Sequence, residues 1–135
     1  MNARYMLDTD ICIYISKQRP SQVKVRFDRL KPGQVVMSVI TYGELHYGAS
    51  KSNNKDKALA ELDRTVRGIP VEGLTPEVSE SYGIVRAALE KKGRIIGSND
   101  LWIAAHAMAL GVTLATNNER EFLRVTGLSV ENWTK

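Results

Sequence analysis

Short apolar runs alternate along the chain with longer stretches of helical period, and that alternation leaves few folds open. The runs fall at residues 4–7, 35–38, 68–71 and 112–116. Apolar runs this short, with turn residues between them, read as strands buried on both faces. The intervening segments read as helices at about 10–16, 22–30, 40–48, 55–67, 76–92 and 100–110. Ser21, Ser38 or Thr41, and Thr75 with Pro76 behind it supply start signals, and Gly111 supplies a stop. In the 55–67 segment Ala58, Leu59, Leu62 and Val66 form one apolar stripe. Strands alternating with helices imply an α/β fold: a mostly parallel central sheet of about four or five strands, flanked by helices on both sides. No internal repeat or linker interrupts the pattern, and 135 residues suit one domain spanning 1–135.

Hydrophobic residues make up 43% of the chain, enough to bury a core. Nineteen Lys and Arg against fifteen Asp and Glu leave a net charge of +4, which suits a polyanionic partner such as nucleic acid. The most basic stretch runs from Lys17 to Lys31. Cys12 is the single cysteine, so no internal disulfide forms, and its apolar neighbours mark it as a core residue. No apolar run reaches the ~20 residues that span a bilayer, and the first residues lack a signal-peptide pattern. The expectation is a cytoplasmic protein.

The first strand leads straight into Asp8, with Asp10 two residues on. Ligands of open α/β sheets bind at the carboxyl edge, where such a residue emerges. Glu44 sits in the first turns of the helix after the second strand. Asp100 opens a later helix, and Asn118 and Glu121 follow the strand at 112–116. In a parallel sheet these positions share one edge. Several carboxylates at one place raise one another's pKa unless a cation joins them. An oxygen-only donor set with no His or Cys pattern suits Mg²⁺ or Mn²⁺ rather than Zn²⁺. Such an ion can bind a phosphate oxygen and acidify a water for attack on a phosphodiester.

The strings YMLDTDICIYI, SVITYGELHYGA, GSNDLWIAAHA and TLATNNEREF resemble, in order and spacing, the four signature blocks of PIN-domain ribonucleases, and most nearly the VapC toxins of VapBC toxin–antitoxin systems. By that resemblance Asp8, Glu44 and Asp100 match the core acids that hold the metal. Asn118 stands where many of the family carry Asp, and Glu121 is the candidate to supply the missing carboxylate. Asp10 occupies a position that is often Asn. Thr9 and Ser38 are polar supports at the same edge. Together with Asn99, Lys91 and Arg94 they are the candidates for contact with substrate. The resemblance implies a homodimer that cleaves structured RNA, commonly tRNA. The most similar toxins cut the initiator tRNA in its anticodon stem-loop, and a VapB-type antitoxin inhibits them.

His46 and His106 lack partners at ligand spacing, and His106, six positions beyond Asp100, faces elsewhere on the helix. Trp102 and Tyr47 suit packing better than stacking on a base. Two other functions fit parts of the pattern. A haloacid-dehalogenase-like phosphatase also uses Asp-x-Asp after its first strand, but leaves Glu44 without a role. A PIN-like module that binds RNA without cleaving it leaves the retained acids unexplained.

Overall fold

Met6 and Leu7 point to opposite faces of the central strand, and both are fully buried. That pair explains the architecture, because a strand with no wet face must be covered by helices on both sides. The computed structural model describes residues 3–135. Its elements are β1 (Tyr5–Leu7), α1 (Thr9–Lys17), α2 (Ser21–Asp28), β2 (Val35–Ser38), α3 (Val39–Ser50), α4 (Lys55–Gly68), β3 (Val71–Glu72), α5 (Pro76–Lys91), α6 (Ser98–Leu110), β4 (Thr113–Ala115), α7 (Glu119–Phe122) and β5 (Val130–Glu131).

The five strands pair in the order β3-β2-β1-β4-β5, and every pairing is parallel. Met6, Val36 and Leu114 face one layer, packed against Val85, Leu89, Leu101, Ile103 and Phe122. Leu7, Val35, Met37 and Ala115 face the other, against Ile11, Cys12, Val23, Ile69 and Trp133. The expected three-layer α/β fold is what forms. Among the described residues no helix is long and apolar enough to cross a membrane.

The strand order places a topological switch point at β1. The chain steps outward through β2 and β3 on one side, then returns to lay β4 and β5 on the other. At such a point the connections diverge and open a crevice at the carboxyl ends of the strands. Register carries the consequence. Leu7 lies opposite Ala115, and Met6 opposite Val36. The next positions along the edge are therefore Asp8, flanked by Thr116 and Ser38.

Several boundaries differ from expectation for local reasons. Ser21 is the first residue of α2 and caps nothing; Pro20 holds the cap position. Helix α3 continues through Gly48 to Ser50, and α6 begins at Ser98, two residues early, behind Gly97. The third strand is Val71–Glu72, just beyond Ile69-Pro70. Strand β5 was not expected, because two residues carry no periodicity and gain their pairing only from β4. Burial of Trp133, 1% exposed, fixes that tail.

Ser38 rather than Thr41 caps α3. Its Oγ accepts the Ile40 N–H at 3.1 Å and lies 2.8 Å from Nδ1 of the buried His106. With a lone pair given to Ile40, the hydroxyl proton is free to be donated to Nδ1. Burial lowers the His106 pKa and keeps the ring neutral. This pair ties the start of α3, which carries Glu44, to α6, which carries Asp100. Ser38→Ala removes a cap and orphans a buried ring nitrogen, so a loss of about 2 kcal/mol is expected. Denaturant unfolding checks it as a lower midpoint with unchanged slope.

Candidate active site

Asp8 sits where β1 turns into α1, and it is 6% exposed. Its backbone N–H donates to the Ala115 carbonyl at 2.9 Å, which fixes it to the neighbouring strand. One carboxylate oxygen accepts the Thr9 N–H at 2.8 Å, and the other accepts the Thr116 hydroxyl at 2.7 Å. Burial still pushes its pKa up to about 6, with the charges of Asp10 and Glu44 adding to the rise and the two hydrogen bonds opposing it.

Glu44 is reached through Thr9. The Thr9 hydroxyl donates to Oε1 of Glu44 at 2.7 Å and lies 3.3 Å from the Thr41 hydroxyl. The first residue of α1 thereby orients the acid of α3 toward Asp8.

Asp100 occupies the first turn of α6, where the helix dipole favours an anion. Burial nonetheless pushes its pKa up to about 7, reinforced by a hydrogen bond with Glu121 and by the charges of Asp8, Glu121 and Glu44. Glu121 belongs to α7, and its Oε2 accepts from the Asn118 amide nitrogen at 3.0 Å. The Asn118 N–H in turn donates to the Thr116 hydroxyl at 2.9 Å. Asn118 therefore holds Glu121 in place through its nitrogen, leaving only its amide oxygen as a potential ligand.

Thr116 is the residue that the sequence reading did not single out. Its hydroxyl receives from Asn118 and donates to Asp8, joining the β4 loop to the first acid. Its position was a usable signal, since it ends an apolar strand as Asp8 does. Asp10 turns instead toward the β4 loop, where Oδ2 accepts the Asn117 N–H at 3.1 Å. Ser38 is fully buried, so it supports the site from behind and no substrate can touch it. Asn99 is exposed at the start of α6, Lys91 lies in the last turn of α5, and Arg94 lies in the loop between them. Within the basic stretch Lys24 pairs with Asp28 and Arg26 with Glu131. Trp102 stacks on Tyr82, with ring centroids 3.9 Å apart.

The four acids are short of positive charge. Among the described residues none of Asp8, Glu44, Asp100 or Glu121 forms an ion pair with a Lys or Arg. Nor do any three His, Cys, Asp or Glu side chains there form a ready-made metal cage.

A family model of the PIN domain matches residues 5–128. Ribonuclease VapC2 of Haemophilus influenzae (strain ATCC 51907 / DSM 11121 / KW20 / Rd) is 41% identical over 130 residues, covering 96% of this chain and 98% of the relative. This chain belongs to the VapC ribonucleases of the PIN-domain family. A second VapC, the tRNA(fMet)-specific endonuclease of Shigella flexneri, is 40% identical over 131 residues, covering 97% of this chain and 98% of that one. Among solved structures, VapBC-1 from nontypeable Haemophilus influenzae superposes with a TM-score of 0.90 at 42% identity, covering 97% and 98% of the two chains. VapC membership decides against the phosphatase and against the binding-only module.

Proposed function

We propose that this chain is a Mg²⁺- or Mn²⁺-dependent endoribonuclease, the toxin of a toxin–antitoxin pair, with Asp8, Glu44, Asp100 and Glu121 as metal-holding and catalytic residues. The observation that carries the reading is a crevice at the switch point where acids from four separate elements face one another without a protein cation. Their hard oxygen donors fit a small divalent ion. When bound, that ion supplies charge to a phosphate oxygen and acidifies a water.

The chain's own residues perform the remaining steps. Thr116 and the Thr9 N–H hold Asp8 in one rotamer, and Thr9 does the same for Glu44. Asp100 and Glu121 share a hydrogen bond in the metal-free chain, and that shared proton would leave when the two carboxylates hold the ion. Asn118 keeps Glu121 turned toward Asp100. The N-terminus of α6 points the same way and favours a phosphate.

The substrate in this reading is a structured RNA: the Shigella relative is named for its specificity for tRNA(fMet), and the reading takes this chain to cut the initiator tRNA in its anticodon stem-loop. Loss of that tRNA stops translation. A VapB-type antitoxin restrains the enzyme, in keeping with the VapBC composition of the Haemophilus structure. The enzyme works in the cytoplasm as a homodimer, built from one PIN domain per chain. Lys91, Arg94 and Asn99 are the surface contacts proposed for the RNA.

Sequencing of RNA ends after a brief pulse of expression tests the proposal. New ends in the anticodon stem-loop of initiator tRNA are expected with the native chain and not with Asp8→Asn. No new ends, or the same ends from both proteins, would overturn it.

A further inference from the structure

Helix α3 carries more than Glu44 on the face it turns to the crevice. Ile40, Glu44 and Tyr47 in the helix and Lys51 at its C-cap are spaced four, three and four residues apart, which at 100° per residue puts all four within about 60° of arc. The stripe floors a cavity of about 610 Å³. Thr9 and Asn99 line it together with Gly43, Glu44, Tyr47 and Lys51. Glu44 is the acid of the site that lines it, and Thr9 and Asn99 are the chain neighbours of Asp8 and Asp100. Tyr47 is 66% exposed, and the Lys51 ammonium lies 4.7 Å from the centre of its ring.

Gly43 and Gly48 sit inside the same helix and border the same cavity. A Cβ added to either would meet nothing within 4 Å. Glycine inside a helix is unfavourable relative to alanine, and no contact among the described residues calls for glycine at either position. The space they leave is open to a molecule from outside.

We infer that this face of α3 is a subsite for a nucleotide flanking the scissile phosphate, with the Tyr47 ring stacking on its base and Lys51 meeting its phosphate. The inference rests on the proposed ribonuclease activity and extends it to substrate positioning. An aromatic ring with a cation over one face suits one nucleotide: the other face takes the π-face of any base, and the ammonium takes the negative charge. A local cation is needed here, because the neighbouring acids repel the RNA backbone. From Glu44 to Lys51 the helix rises roughly 10 Å, room for the residue next to the cleaved bond. Asn99, across the cavity, offers an amide to the base edge.

The test is a kinetic cycle on an anticodon stem-loop RNA with Mg²⁺, comparing the native substrate with one made abasic beside the cut. Tyr47→Ala is expected to lower kcat/KM about tenfold, mainly through KM, and Tyr47→Phe to recover most of that loss. The abasic substrate is expected to lose a similar factor with the native protein and almost nothing further with Tyr47→Ala. A packing role for the ring would not produce that non-additivity. Lys51→Gln is expected to reduce the slope of log KM against log salt by about one.

Unchanged cleavage by Tyr47→Ala while the native protein cuts and Asp100→Asn does not would overturn the subsite and leave the ribonuclease standing. So would unchanged kinetics accompanied by a change in oligomeric state, which would give this face to a second copy of the chain. If the native protein cut no RNA, the ribonuclease reading and the subsite would fall together.

Discussion

Replacing Asp100 with Asn is expected to lower RNA cleavage by 10³-fold or more while making the metal-free protein more stable above pH 7. The two effects share one cause. In the folded chain the Asp100 carboxyl is pushed up to about 7, first by burial, then by its hydrogen bond with Glu121 and the charges of Asp8, Glu121 and Glu44. At pH 8 the native side chain is therefore ionised against its surroundings. An amide of the same shape removes the charge and donates permanently to Glu121. The same change takes a carboxylate from the proposed metal site, where several kcal/mol of transition-state stabilisation is at stake. Thermal unfolding in chelator at pH 8 should show a midpoint a few degrees higher. Single-turnover cleavage measures the other half. A variant that lost activity by losing stability would show instead that Asp100 holds the fold.

The second large effect is on how stability varies with pH, and its sign depends on metal. Asp8 lies at about 6 and Asp100 at about 7 in the folded chain, against an ordinary 3.8. Across that window the folded state binds more protons than the unfolded state, so stability falls as pH rises from about 4 to about 7. Below about 4 the carboxyls are neutral in both states and the penalty vanishes. For Asp8 the displacement from 3.8 to about 6 corresponds to about 3 kcal/mol at neutral pH, and Asp100 acts in the same direction. Metal binding needs the ionised carboxylates, so saturating Mn²⁺ should stabilise the protein strongly at pH 8 and little at pH 5. A rise in Tm of about 5 °C or more at pH 8 is expected. Denaturation curves from pH 4.5 to 8, in chelator and in Mn²⁺, check this. Parallel curves under the two conditions would contradict it.

The layered fold could be read from the sequence because its strands are buried on both faces. Runs such as Val35-Val36-Met37 leave no wet face, and only helices on both sides satisfy them. The Thr75-Pro76 start and the Gly111 stop carry local chemistry that holds whatever the rest of the chain does. Asp8, Glu44 and Asp100 were legible because parallel topology sends strand ends and helix starts to one edge. What escaped was held by partners distant in sequence. Strand β5 exists through β4 and the burial of Trp133, and neither leaves a periodic trace in two residues. Asp8 and Thr116 meet across 108 positions, so their bond depends on β1 and β4 being neighbours. A sequence shows the Asn118 amide but not that its nitrogen faces Glu121, which leaves the oxygen as the atom to offer a metal. Asp10 resembled a partner of Asp8 by spacing alone, yet its carboxylate turns to the Asn117 N–H.

Whether the acids at the switch point form one divalent-metal centre can be measured without RNA. Metal-free protein titrated with Mn²⁺ at pH 7.5 should quench the electron paramagnetic resonance signal of the free ion. Affinity should fall at least tenfold in each of Asp8→Asn, Glu44→Gln and Asp100→Asn, and remain unchanged in Asp28→Asn, whose carboxylate pairs with Lys24 on the surface. Binding that stayed the same in all three site variants, or that was absent from the native protein, would contradict the account.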